Sequence, residues 1–262
     1  MSNVREKLST MFTKIMAGTI TREEGTMLIN DVAKENYADT MKELAYLIDN
    51  PPSGVFPKTI LHTIALTRNK AFNNLMISSL EHRNDGVSIL AATELGKLRT
   101  DEAKHVLVDH LNSEIYHVRL ASATALLDGF QDGFEIIKSH ILNNHESFYR
   151  MTSVLALSAK GKKGMEALIS LLTSGAHGPV STVVEVLKGS TKNINDADIP
   201  KIVDALMLAG DKKDNMTIVE LLKLVAALRG RAYSFEKYVS AFTDYPSEPV
   251  RKEAANTLKQ II

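Results

Sequence analysis

No cysteine and no tryptophan occur among the 262 residues. The first absence excludes disulfides, thiolate zinc sites and thiol nucleophiles. The second removes the strongest stacking platform for exposed nucleobases. An excess of either charge is also missing, since Lys+Arg and Asp+Glu both total 31. The balance holds locally, with 14 basic and 16 acidic side chains in residues 1–130 and 17 and 15 in the remainder. A chain that tracks a phosphate backbone carries a basic surplus, so specific nucleic-acid binding is not expected. Nothing approaches 18 consecutive apolar residues, and no basic stretch leads into an apolar leader. The expectation is a cytoplasmic protein with no membrane partner. No glycine-rich phosphate loop and no Ser/His/Asp constellation stands out.

What the sequence does contain is a repeat. Val87 to Leu95, moved forward by 31 residues, becomes Val118 to Leu126 and then Tyr149 to Leu157; moved back, it reaches Phe56 to Ile64. A second register lies between these segments, with Leu75, Val106, Ile137 and Leu168 equally spaced, as are Leu80, Leu111 and Leu142. Two registers per repeat predict two helices per repeat, each of about three turns. In the second helix Val118, Leu120, Ala121, Ala123, Leu126 and Leu127 cover more than half the circumference, which is too much for a helix with one broad wet side. Such a helix has to be sandwiched by its neighbours. Ala91, Ala92, Ala121, Ser122, Ala123 and Ala156 are small enough to let helices approach closely. Leu95, Leu126 and Leu157, with Leu80, Leu111 and Leu142, form the expected repeat core, and stability becomes a sum over neighbour contacts.

The pattern Val118-Arg119-x-x-x-Ala123-x-x-Leu126, and again Val250-Arg251-x-x-Ala254-Ala255-x-x-Leu258, resembles the second helix of HEAT repeats. The interval of 31 is shorter than the general HEAT unit of roughly 40–47 residues. It is similar to the short bacterial repeats of phycobilin-lyase-like proteins. The resemblance covers residues 37–262 and is tightest over 56–160. It implies an all-α, α-α superhelix, a HEAT-like solenoid of about seven helical pairs. It also implies that Arg119, Arg150 and Arg251 form a structural ladder, bonding turn carbonyls or an acidic residue of a neighbouring unit. Asp85, Glu114 and Glu146 stand just ahead of the second helices as possible partners.

Residues 1–36 lack the repeat signature. Val4, Leu8, Met11, Phe12, Ile15 and Met16 have helical spacing, and Thr21-Arg-Glu-Glu24 is a capping box that opens a second helix. The two make a hairpin that caps the array 37–262; a docking arm for a partner is the sharper alternative. All seven prolines fall in expected turns or first helical turns, Pro57, Pro179 and Pro249 among them. Gly129, Gly161, Gly189 and Gly230 follow second helices, where C-cap glycines are expected. Between 175 and 197 the spacing drifts, and a change of curvature is expected there.

Six of the eight histidines lie between His82 and His145. Metal ligands on helices favour i, i+3 or i, i+4, whereas His105 and His110 stand five apart, as do His140 and His145. No metal and no cofactor is therefore expected. HEAT-like iron enzymes that hydroxylate deoxyhypusine carry several His-Glu pairs, and this chain has one, His145-Glu146. HEAT-like glycosylases that excise alkylated bases present basic, aromatic grooves, which the composition does not supply. No lyase-specific residue can be matched either. The leading expectation is a non-enzymatic scaffold that binds another protein on its concave second-helix face; the alternative is a lyase-like enzyme or enzyme-assembly factor. At the far end Ala254, Leu258, Ile261 and Ile262 lack a following helix to cover them. A monomer is slightly favoured over a dimer joined through that end.

Overall fold

A computed structural model describes residues 2–174 and 176–262; Gly175, part of the expected irregular stretch, lies outside the described residues. The fold class is the all-α, HEAT-like helical repeat that the spacing predicts. Among the described residues no helix is long and apolar enough to cross a membrane. The chain divides into two compact units, Met1–Phe130 and Gln131–Ile262.

The first unit opens with a hairpin of α1 (Asn3–Met16) and α2 (Arg22–Glu35). Both start as their sequences dictate: Ser2 caps α1, and Thr21 with Glu24 completes a capping box on α2. Three pairs follow, α3 (Tyr37–Asp49) with α4 (Pro57–Leu66), α5 (Asn73–Ser78) with α6 (Asp85–Leu98), and α7 (Asp101–Asp109) with α8 (Tyr116–Gly129). The hairpin packs on α3 and α4. The second helices α4, α6 and α8 lie side by side, and the tightest of these contacts is α6 on α8.

Glycine explains that contact. A Cβ added to Gly129 would stand 2.3 Å from the Gly96 carbonyl oxygen, and one added to Gly96 would stand 2.9 Å from that of Ala125. The two backbones therefore touch with no side chain between them. Ala91, Ala92, Ser122 and Ala123 are all buried along the same seam, with Leu95 and Leu126 beside them. Gly129 thus serves helix approach, and its φ is not left-handed. Of the four glycines expected to close second helices, only Gly161 has positive φ, at 58°. Arg68 (φ 51°), Arg99 (φ 53°), Lys213 (φ 57°) and Arg229 (φ 54°) take positive φ at other helix ends. Left-handed backbone costs an ordinary residue about 1–2 kcal/mol. A cation beside the partial negative charge of a helix C-terminus returns about 0.3–1 kcal/mol of it.

The second unit contains four pairs: α9 (Gly133–Asn143) with α10 (Ser147–Ser158), α11 (Gly161–Leu171) with α12 (His177–Gly189), α13 (Ile199–Asp211) with α14 (Asn215–Leu228), and α15 (Glu236–Ser240) with α16 (Glu248–Ile261). Again the second helices α10, α12, α14 and α16 pack in sequence. A Cβ on Gly164 of α11 would stand 1.8 Å from the Leu157 carbonyl oxygen, a second contact at backbone distance. Among the described residues seven pairs follow the hairpin, in line with the about seven that the sequence predicts.

The first-helix register needs correction. Leu80 and Leu111 are buried, but Leu142 is 38% exposed. In α9 the inward positions are Ile137 and Ile141; in the equivalent α7 segment they are Ala103, Leu107 and Leu111, with Val106 only half-buried. The interval between first helices is thus 30 residues here, one short of the second-helix interval. The shift is present from the start of the helix: Ala103 and Gly133 are both buried, eight residues after Leu95 and seven after Leu126 respectively, so the step into α9 is one residue shorter than the step into α7. The C-terminal expectation changes as well. Ala254 and Ile261 are buried and Leu258 is half-buried, leaving Ile262 exposed at 74%. The outer side of α16 carries Lys252, Asn256, Lys259 and Gln260, a polar surface.

The seam sets a stability prediction. Leu126→Ala should cost about 2–5 kcal/mol through lost burial and cavity formation. Gly129→Ala, which adds one carbon where there is no room, should cost about 1–3 kcal/mol or more. Chemical denaturation of both variants tests this, and a Gly129→Ala protein as stable as wild type would contradict the backbone-level contact.

Candidate functional site

The arginines at the repeat position share one geometry. Nη1 of Arg119 donates to the Ser113 carbonyl at 2.7 Å, that of Arg150 to Asn144 at 2.8 Å, and that of Arg251 to Tyr245 at 2.8 Å. Each partner lies six residues upstream, in the turn that precedes the arginine's own helix. Arg150 and Arg251 also reach the carbonyl five residues upstream, those of His145 (2.9 Å) and Pro246 (2.8 Å). Arg150 continues across to the next second helix, with Nε donating to Thr182 Oγ1 at 3.2 Å. Gly178 leaves room for this guanidinium, since a Cβ there would stand 3.1 Å from Nη2. Arg119 and Arg150 are buried. Their donors face turn carbonyls rather than a surface where an anionic ligand could lie. Of the acidic residues proposed as partners, Asp85 lies 3.4 Å from His117 Nδ1.

Two further clamps had no signal in the repeat pattern. Arg231 donates through Nε to Asp196 (2.7 Å) and through its terminal nitrogens to the Thr191 and Ile194 carbonyls, closing the long polar connection 189–195. Arg5 donates to Glu43 and stacks over the Tyr46 ring at 3.7 Å, while Ser2 Oγ donates to the other Glu43 oxygen at 2.8 Å. The hydrogen bond from Arg5 holds the buried Glu43 carboxyl below its usual range, against the opposing effect of burial. Both arginines match residues more than 30 positions away in sequence, which is why spacing rules miss them.

The histidines do not converge. Among the described residues no group of three or more His, Asp or Glu side chains could hold a metal ion. In the first unit three imidazoles instead face carboxylates of a neighbouring repeat: His82 to Asp49 (3.2 Å), His117 to Asp85 (3.4 Å) and His62 to Glu94 (3.9 Å). His140 is the chemically distinctive one. Its Nδ1 meets Ser153 Oγ at 2.9 Å and its Nε2 meets Asn144 Nδ2 at 3.2 Å. A serine, a histidine and an asparagine are the parts of a nucleophilic triad. Ser153, however, is 1% exposed, so no substrate carbonyl can reach its oxygen. Burial pushes the His140 imidazole down to about 4. Neutral and bonded on both nitrogens, it serves as a packing residue between α9 and α10.

No sequence-family model matches the chain. No curated protein matches it in sequence. Among solved structures, human deoxyhypusine hydroxylase in complex with glycerol is 14% identical over 98% of this chain and 96% of its own, with a TM-score of 0.39. A designed armadillo repeat protein is 15% identical over 72% of this chain and 99% of its own, with a TM-score of 0.32. A Uso1 structure is 14% identical over 99% of this chain and 51% of its own, with a TM-score of 0.35, so this chain spans about half its length. All three scores fall below 0.5, and the helical-repeat assignment rests on the packing described above.

Two outcomes follow from these contacts. Arg150→Met should cost about 1–3 kcal/mol in urea unfolding, because two turn carbonyls lose their donor; an unchanged midpoint would contradict the clamp. For His140 the sign follows from its depressed proton affinity. The unfolded imidazole binds a proton near 6.5 and the folded one only near 4. Above pH 6.5 neither state is protonated and the group has no effect. As the pH falls from 6.5 toward 4 the unfolded state takes the proton first, and stability is lost. The loss is on the order of 1–3 kcal/mol, toward the lower end because the ring is partly solvated. His140→Gln should flatten this part of the stability–pH curve, and a curve of unchanged slope would show that His140 titrates normally.

Proposed function

We propose that the protein is a non-enzymatic, HEAT-type scaffold that binds another protein on its second-helix face, with residues 1–36 capping the array 37–262. The observation that carries this reading is a row of equivalent positions on α4, α6 and α8. Lys58, Ile89 and Leu120 are 31 residues apart, on neighbouring helices, and none is buried. Ile89 is 49% exposed, and Leu66 and Phe56 add exposed apolar surface to the same helices. Single exposed apolar residues are ordinary; a repeated row across packed helices offers a partner several anchors at fixed spacing.

The short repeat supports the likeness to phycobilin-lyase-type HEAT proteins, and it supports a lyase-like enzyme less well. The Ser153–His140 contact is sealed, and the repeat arginines are committed to turns. The balanced charge favours a protein partner over nucleic acid, in a cytoplasmic setting.

The test compares immobilised wild type with Ile89→Asp and Lys58→Glu variants as bait in native lysate. Both sites are at the surface, so melting temperatures should be unchanged. A protein retained by wild type and lost from both variants is the expected outcome. Equal retention by all three baits would place the binding face elsewhere.

A further inference from the structure

Outside the second-helix face, a groove of about 490 Å³ without an assigned role runs along the hairpin, between α1 and α2. Its floor is Leu8, Met11 and Val32; one rim carries Lys7 and Lys14 with Glu6 at its N-terminal end, and the other carries Leu28. Leu28 is 45% exposed and Met27 beside it is 66% exposed. The two helices differ in charge. The groove side of α1 presents Lys7 and Lys14, seven residues or about 10 Å apart. The outer side of α2 presents Glu24 and Asp31, also seven apart, with Met27 and Leu28 between them. An apolar pair flanked by acids on one helix thus matches an apolar floor flanked by lysines on the other.

We propose that this groove is a homodimer surface, occupied by α2 of a second copy of the chain. The hairpin itself supplies the register. Lys7 Nζ meets Glu35 Oε2 at 3.4 Å, so in these antiparallel helices Lys14 is level with Leu28 and Met11 with Asp31. A two-fold axis running along the hairpin leaves these heights unchanged. It lays α2 of the second copy antiparallel over α1, completing a four-helix bundle in which every neighbour is antiparallel. Leu28 of the copy then enters the groove, and Asp31 of the copy falls between Lys7 and Lys14. Among the described residues Lys14 has no side-chain ion pair, and Asp31 gives up only an exposed contact with Lys34 at 3.0 Å. Such surface pairs are worth little and exchange readily. Each face is two helices of 14 residues, about 21 Å long and 20 Å wide. That is roughly half the ~800 Å² per partner of a standard interface, which fits a weak, salt-sensitive dimer.

Sedimentation velocity on the full chain from about 1 µM to about 500 µM tests this, since the range brackets a half-size interface. Wild type should pass from monomer to dimer, with weaker association at high salt. Leu28→Glu should remain monomeric. Lys14→Glu and Asp31→Lys should each weaken association at least about tenfold, and the doubly reversed protein should recover most of it. The substituted positions are exposed, so circular dichroism melts should match wild type. A monomer at every concentration would overturn the proposal, including one whose groove is instead filled by a different protein. A dimer indifferent to Leu28→Glu, or singles whose defects simply add in the double, would overturn it equally.

Discussion

The constraint on which the rest depends is the backbone-level approach of neighbouring helices. Gly96 and Gly129 bring α6 and α8 within a distance that forbids even a methyl group. Ala91, Ala92, Ser122 and Ala123 extend the seam along both helices. Once two second helices are that close, their larger residues have to alternate with small ones at a fixed interval. Leu95, Leu126 and Leu157 keep that interval, and all three are buried. The 31-residue period is therefore a packing requirement written into sequence. In such an array each helix is stabilised by its neighbours rather than by a common centre.

The turns answer to a different interaction. A second helix that must lie against its neighbour at close range tolerates little freedom in the segment leading into it. Arg119, Arg150 and Arg251 remove that freedom by reaching back six residues to a turn carbonyl. A carbonyl left without a donor near a helix start costs about 1–3 kcal/mol where it is buried, as at Ser113. Each guanidinium of this ladder holds backbone, as the resemblance to HEAT repeats implies. In the proposed scaffold, partner contacts would fall to exposed residues such as Ile89 on α6 and, in the proposed dimer, Leu28 on α2.

Periodicity carried most of the fold because the second helices are constrained on several sides. Val118, Ala123 and Leu126 cannot shift by one position without a clash, so their register survives in the sequence. First helices are constrained less. The step from α8 into α9 is one residue shorter than that from α6 into α7, which moves the inward position from Leu142 to Ile141, and no spacing rule anticipates that. Gly129 departs from the expected C-cap role for a related reason. Gly129 at a helix end looks like a C-cap, but it is there for Gly96, which lies 33 residues earlier and carries no mark in the local pattern. Long-range clamps such as Arg5–Glu43 and Arg231–Asp196 are silent for the same reason. Of the candidate site, the arginine positions are legible in the repeat pattern, while His140 and Ser153 make contact from 13 residues apart and follow no helical spacing.

Native-state hydrogen exchange tests the central claim most directly. If backbone contact between second helices governs stability, amides of α6 and α8 should be among the last to exchange in the first unit. The hairpin helices α1 and α2 and the short α5 should open earlier, in graded steps. Exchange of all helices in one cooperative step, or α6 and α8 opening as early as the hairpin, would contradict it.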